Sequence, residues 1–335
     1  MEQAQSKSKT GRLIWLDVIK GLSIIMVIYA HLLTKDNLSV INSLYQVARM
    51  PVFFCISGFF MYNISYDLQL LWKRMRKRLR VQLMPTIIFF FLFVFAFRNS
   101  DFEEYIFDTY KSGYWFTYVS VLYFFTLAPL LVLFSRFRIG DVGRIVVFLS
   151  IMVVSVVSLS LANSTGFLDT KLGVLLSFEH YIGYLRFLAV GCIFRILWNK
   201  YADKLMRWQA FAVAIVVFAV SYIFGGLLSL TTSFAGIYIL LYSSYILSSF
   251  FAGSKVVDFL AFLGSLTLEI YLLHYFVVEM ILLSVNGYSG LISNIVNKPW
   301  EFFIIFVMSL AVALICLLIV ESLDFIKLKK LIFGK

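Results

Sequence analysis

The sequence predicts an all-α, polytopic membrane fold of about ten transmembrane helices, and three observations carry that reading. Of its 335 residues, 61% are hydrophobic and 14% charged, with a mean hydropathy of +0.92. Soluble domains are roughly half apolar and a quarter charged. Apolar runs of about twenty residues, the length a helix needs to cross a bilayer, recur along the whole chain. The connections between these runs alternate in charge, as expected of a chain that weaves back and forth across a membrane.

The runs fall at 13–33, 45–64, 79–97, 114–135, 142–162, 180–198, 208–225, 233–251, 259–285 and 300–320. The first follows a short basic segment and resembles a signal peptide. It is too long for one and no small-residue cleavage site follows, so it reads as a retained span. The connection after the second run carries Lys73, Arg74, Arg76, Lys77, Arg78 and Arg80, whereas the next carries Asp101, Glu103, Glu104 and Asp108. Basic character returns with Arg136, Arg138 and Arg144, again with Arg195, Lys200, Lys204 and Arg207, and finally with Lys327, Lys329 and Lys330. Basic connections face the cytoplasm, which places both termini there. Residues 1–335 then form a single transmembrane domain, with 1–11 and 322–335 as basic cytoplasmic tails. Trp15, Trp115, Trp198, Trp208 and Trp300 fall where interfacial aromatic belts are expected.

The net charge of +11 follows the spans and is the positive-inside pattern, which excludes nucleic acid as the partner and makes the bilayer that partner. Cys55, Cys192 and Cys316 sit inside apolar runs without metal-ligand spacing and read as packing residues. No metal site is expected.

The first run carries Asp17, Lys20 and His31. Lys20 and His31 are eleven positions apart, about three helical turns, so they share one face, with Asp17 one turn below Lys20. Ionisable groups at membrane depth cost roughly 2.5–3.5 kcal/mol each on insertion scales and face a protein interior or a wet cavity. Alternating direction then assigns depths. Asp17 and Lys20 lie in the cytoplasmic third and His31 lies further out. Arg49 opens the second span from outside, with Ser57 and Gly58 near its middle. Arg186 lies about two turns inside His180. Glu269 falls near the middle of the ninth span, with His274 a little beyond. Tyr114 and Trp115 open the fourth span from outside. His31, Arg49, Arg186, Glu269 and His274 are thereby expected to converge in the outer half of the membrane. Each has a plainer role open to it: Arg49 snorkelling to headgroups, Arg186 pairing with Glu179 or Glu269, each histidine bonding another helix, and the basic run contacting anionic lipid.

The stretch Trp15-Leu-Asp-Val-Ile-Lys-Gly…His31, followed by Arg49-Met-Pro-Val-Phe-Phe-Cys-Ile-Ser-Gly-Phe-Phe60, resembles the opening of the membrane-bound acyltransferase family 3. The likeness continues through Lys77–Pro85, Gly113-Tyr-Trp-Phe116 and Ser265-Leu-Thr-Leu-Glu-Ile-Tyr-Leu-Leu-His274. These bacterial proteins include surface-polysaccharide O-acetyltransferases and a fucose 4-O-acetylase-like branch. The family's usual arginine is Lys20 here, which keeps the charge but loses the planar fork.

The resemblance implies transfer of an acetyl or succinyl group from acyl-CoA to a hydroxyl of a cell-surface or lipid-linked glycan, in the bacterial cytoplasmic membrane. His31 is the implied general base, with Glu269 and His274 as further catalytic candidates. Arg49, Arg186 and Ser57 are candidates to stabilise the oxyanion or acyl group. Asp17, Lys20, Arg78 and Arg80 are candidates to bind the CoA phosphates, and Trp115 and Phe116 to meet the acceptor. Acyl-CoA enters as donor substrate, no bound cofactor is expected, and separate polysaccharide-assembly proteins are candidate partners. The rival reading is a transporter or flippase of polysaccharide precursors. Such carriers show repeat symmetry and matched broken helices, and neither is visible here.

Overall fold

The computed structural model describes residues 13–33, 39–62, 67–98, 101–225 and 229–334. The basic segment 1–11 lies outside them. Nine helices among the described residues are long and apolar enough to cross a membrane, and Trp208–Phe224 is a shorter apolar helix. The protein is an all-α, multi-pass membrane protein. Its contacts divide into two compact units, 1–53 with 203–322, and 54–202 with 323–335.

The first unit contains α1 (Ile14–Leu32) and the opening of α2 (Val40–Tyr62). Further along the chain it takes in α10 (Trp208–Phe224), α11 (Ser229–Phe250), α12 (Lys255–Ser265), α13 (Thr267–Ser284), α14 (Tyr288–Ser293) and most of α15 (Glu301–Phe325). Asp17 and Lys20 form the i,i+3 ion pair expected from their spacing, at 2.6 Å. A β-carbon on Gly21 would stand 2.1 Å from the Leu260 carbonyl oxygen, and one on Gly264 would stand 1.8 Å from that of Asp17. The two backbones are therefore in direct contact, as small residues permit between membrane helices. Because 17 meets 264 and 21 meets 260, α1 and α12 run in opposite senses where they touch.

The expected ninth span, 259–285, is not one helix. It breaks at Leu266 (φ −107°, ψ 19°) into α12 and α13. The chain must turn there because α12 is held against α1 at Gly264, and the Thr267 hydroxyl donates to the Gly264 carbonyl at 2.7 Å. Glu269 consequently lies in the first turn of α13 and not at the middle of a span.

The second unit holds the rest of α2, α3 (Leu68–Arg78), a π-helical turn at Leu79–Leu83 and α4 (Met84–Phe97). These are followed by α5 (Phe102–Ile106), α6 (Trp115–Arg136), α7 (Asp141–Ser164), α8 (Lys171–Leu175), most of α9 (Phe178–Leu205) and α16 (Lys329–Phe333). Asp67 caps α3 by accepting the Leu70 N–H at 2.6 Å. The basic segment is thus helical and continuous with the third span, which covers 68–97. Pro85 follows the π turn at the start of α4. Its ring cannot accept the ordinary i−4 arrangement, and a widened turn relieves that clash. In the C-terminal segment, Phe333 is buried and its ring stacks on Phe89 at 5.5 Å.

Candidate active site

In the first unit, His31 sits in the last turn of α1. Its Nε2 lies 3.2 Å from the Tyr275 hydroxyl of α13, and its ring centroid is 5.3 Å from that of His274. His274 is fully buried, and its Nδ1–H donates to the Tyr271 carbonyl at 2.6 Å. That bond fixes the tautomer and leaves Nε2 with a lone pair. Among the described residues His274 Nε2 has no hydrogen-bond partner. The Arg49 guanidinium is within electrostatic reach of both His31 and Tyr275, and its Nη1 donates to Asn42 Oδ1 at 3.2 Å. A half-buried imidazole, a buried imidazole of defined tautomer, a phenol and a guanidinium can together remove a proton and stabilise a negative oxygen.

Of the expected group, the first unit therefore brings together His31, His274 and Arg49. Glu269 is fully buried in the same unit, but the Nδ1 of His274 is oriented by a backbone carbonyl. Asp17 and Lys20 belong to this unit too, near the opposite end of α1.

Arg186, Ser57, Arg78, Arg80, Trp115 and Phe116 belong to the second unit. Arg186 is half-buried on α9, its guanidinium 5.2 Å from the Phe187 ring centroid. Ser57 precedes Gly58, where a β-carbon would stand 2.0 Å from the Leu188 carbonyl oxygen. Trp115 is 7% exposed and packs on His180, centroids 4.1 Å apart, while Phe116 meets Phe54 edge-on at 5.0 Å. Arg80 is exposed, and its carbonyl lies against Gly334 of the C-terminal segment.

Trp115 opens α6 beside an unexpected part of the preceding helix. Arg78 donates to Gln82 Oε1 at 2.5 Å, and Gln82 Nε2 donates to the Thr117 carbonyl at 3.2 Å. The Arg78 guanidinium also lies 5.3 Å from the Phe124 ring centroid. Gln82 is near the midpoint of the 68–97 helix, so α6 starts beside the middle of that helix and not at its far end. The cause is the connection 101–114, which folds back along α4 and brings Tyr114 onto Phe93, ring centroids 6.1 Å apart. Lys111, Ser112 and Gly113 make the return in three successive left-handed conformations (φ 47°, 49° and 94°). The Lys111 ammonium holds the turn by donating to the carbonyls of Ile106 (2.9 Å) and Val174 (3.1 Å). Its burial pushes the amine down to about 8.

Comparison with known families decides the class. The family model described as an acyltransferase domain matches residues 13–318. The chain belongs to the acyltransferase family 3. No curated protein and no solved structure matches it. This acyltransferase carries its histidine pair on the first matched helix and on α13, both inside the matched region.

Sequence reasoning passed over several residues in each of this acyltransferase's two units. Tyr275 follows His274 directly, and a hydroxyl beside an intramembrane histidine was the signal available. Gln82 lies within the motif-like stretch 77–85 but looks like one more polar residue near a basic run. Glu301 is the least obvious. It stands at the head of the last long span, where carboxylates are ordinary, yet it is 0% exposed and accepts hydrogen bonds from three segments.

Proposed function

We propose that this acyltransferase moves an acetyl group, or a related short acyl group such as succinyl, from acyl-CoA to a hydroxyl of a cell-surface or lipid-linked glycan. The bacterial cytoplasmic membrane is its proposed location, with basic connections and both termini on the cytoplasmic side. The observation that carries the reading is the pairing of His31 with Tyr275 beside a second imidazole whose tautomer is set by the Tyr271 carbonyl.

A sugar hydroxyl is a weak nucleophile, and neutral imidazole is a base suited to it near neutral pH. His31 accepts the hydroxyl proton as the oxygen attacks the thioester carbon. The carbonyl oxygen becomes an oxyanion, and Arg49 offers positive charge to it. Collapse of the tetrahedral intermediate breaks the carbon–sulfur bond, and the CoA thiolate takes the proton back from His31. His274 Nε2 is an acceptor for a hydroxyl or N–H of a bound substrate. Lys20, held by Asp17, is the first unit's proposed contact for the donor's phosphates; Arg78 and Arg80 are the second unit's own candidates for that role.

The test incubates membrane vesicles containing the full chain with radiolabelled acetyl-CoA and candidate glycans. Label should enter one glycan class, and His31→Gln should abolish the transfer while the protein still accumulates in the membrane. Near-normal transfer by His31→Gln would remove His31 from the role of base.

A further inference from the structure

We infer that Glu301 is a positioning residue that sets His31 and Arg49 in register for the proposed transfer. The inference rests on the reading of His31 as the base.

Glu301 heads α15 and is fully buried. A buried carboxylate is tolerated when its oxygens are well supplied with donors. Among the described residues its hydrogen-bond partners are all neutral. The Tyr29 hydroxyl donates to Oε1 at 2.8 Å, the Ser39 hydroxyl donates to the same oxygen, and the Asn297 N–H donates to Oε2 at 2.6 Å. Tyr29 is in the last turn of α1, two residues before His31. The carbonyl of Leu32, one residue after His31, accepts the Tyr288 hydroxyl at 2.8 Å. The turn that carries His31 is therefore fixed on both sides of the imidazole.

The same carboxylate reaches Arg49 by a second route. Ser39 Oγ accepts the Asn42 N–H at 2.9 Å, and Asn297 Oδ1 accepts the Val40 N–H at 3.0 Å, so the start of α2 is tied to the Glu301 end of α15. Asn42 in turn accepts from Arg49 at 3.2 Å. One acceptor thus organises two helix ends, one bearing the imidazole and the other the guanidinium. Glu301→Gln retains the shape but replaces one acceptor oxygen by an N–H donor, so at least one of the three bonds must reverse its direction or be lost.

The experiment measures acetyl transfer from radiolabelled acetyl-CoA to vesicle glycan by the full chain carrying Glu301→Gln, Tyr29→Phe, both together, or His31→Gln. Glu301→Gln should lower kcat about 10- to 100-fold, the loss typical of a displaced catalytic geometry, while the KM for acetyl-CoA changes less than about threefold. Tyr29→Phe should lower kcat about tenfold, and adding it to Glu301→Gln should lower it less than about twofold further, because both break one contact. Wild-type kcat in Glu301→Gln, or losses that multiply in the double variant, would overturn the inference. If Glu301→Gln fails to accumulate, Tyr29→Phe and Ser39→Ala carry the test alone, a normal kcat in both overturning it. An active His31→Gln would sink the reading of His31 itself. An inactive His31→Gln beside a normal Glu301→Gln would sink the role of Glu301 alone.

Discussion

The Tyr275 hydroxyl and Nε2 of His31 are 3.2 Å apart, although 244 positions separate the two residues in the chain. The contact joins the last turn of α1 to the turn of α13 that also carries His274. A phenol at that distance restrains the imidazole and competes for its lone pair until a substrate hydroxyl arrives. Tyr275→Phe removes that restraint and leaves the ring packing of 4.8 Å between centroids. Transfer should fall about tenfold, one hydrogen bond's worth of orientation, with the KM for acyl-CoA unchanged. Steady-state kinetics in vesicles check this, and an unaltered kcat would show that the phenol is packing alone.

Gln82 ties the Arg78 guanidinium to the start of α6. Gln82→Leu keeps the bulk and removes both bonds, freeing Arg78 to point elsewhere. On the proposed function, the KM for acyl-CoA should rise roughly three- to tenfold, because charge-assisted contacts to phosphate depend on a fixed donor. Direct titration of CoA onto detergent-solubilised protein gives the same answer without an acceptor.

The contact between α1 and α12 leaves no room for a side chain at Gly21 or Gly264. Gly21→Ala should force the two backbones apart and destabilise the protein by about 1–3 kcal/mol or more, as overpacking does. Gly290→Ala is the control. It lies in α14 with nothing within 4 Å of the added carbon, and should be neutral or slightly stabilising. Thermal unfolding of the purified variants distinguishes them.

Lys111 should give the connection 101–114 a measurable pH dependence. Burial lowers its amine from 10.5 to about 8 in the folded chain, so between those values the unfolded chain binds more protons than the folded one. Stability therefore rises as pH climbs from about 8 towards 10.5 and is flat below, where Lys111 is charged in both states. Lys111→Met should abolish that rise while costing the two bonds to Ile106 and Val174. Melting temperatures at intervals from pH 7 to 10 provide the comparison, and a parallel rise in the variant would point to another group.

How much was legible in the sequence depended on how local each cause was. Asp17 and Lys20 pair because i and i+3 are neighbours on any helix, and no tertiary information was needed. The continuous 68–97 helix was half visible: its apolar end reads as a span, whereas its basic start reads as a loop, since charge hides helical continuity. The break at Leu266 was hidden. No proline marks it, and its cause is the approach of Gly264 to the Asp17 carbonyl, a contact with a helix some 250 residues away. The start of α6 beside Gln82 was hidden too, because it depends on how the connection before it folds back along α4.

By itself the sequence determined the membrane class, most of the helical spans and the family, because hydropathy, loop charge and motif order are properties of short stretches. Which hydroxyl meets His31, which carboxylate holds its turn and where the ninth span divides were decided by the tertiary structure alone. Those relations depend on the rotation and register of one helix against another, which for α1 and α12 are set by backbone contact at Gly21 and Gly264.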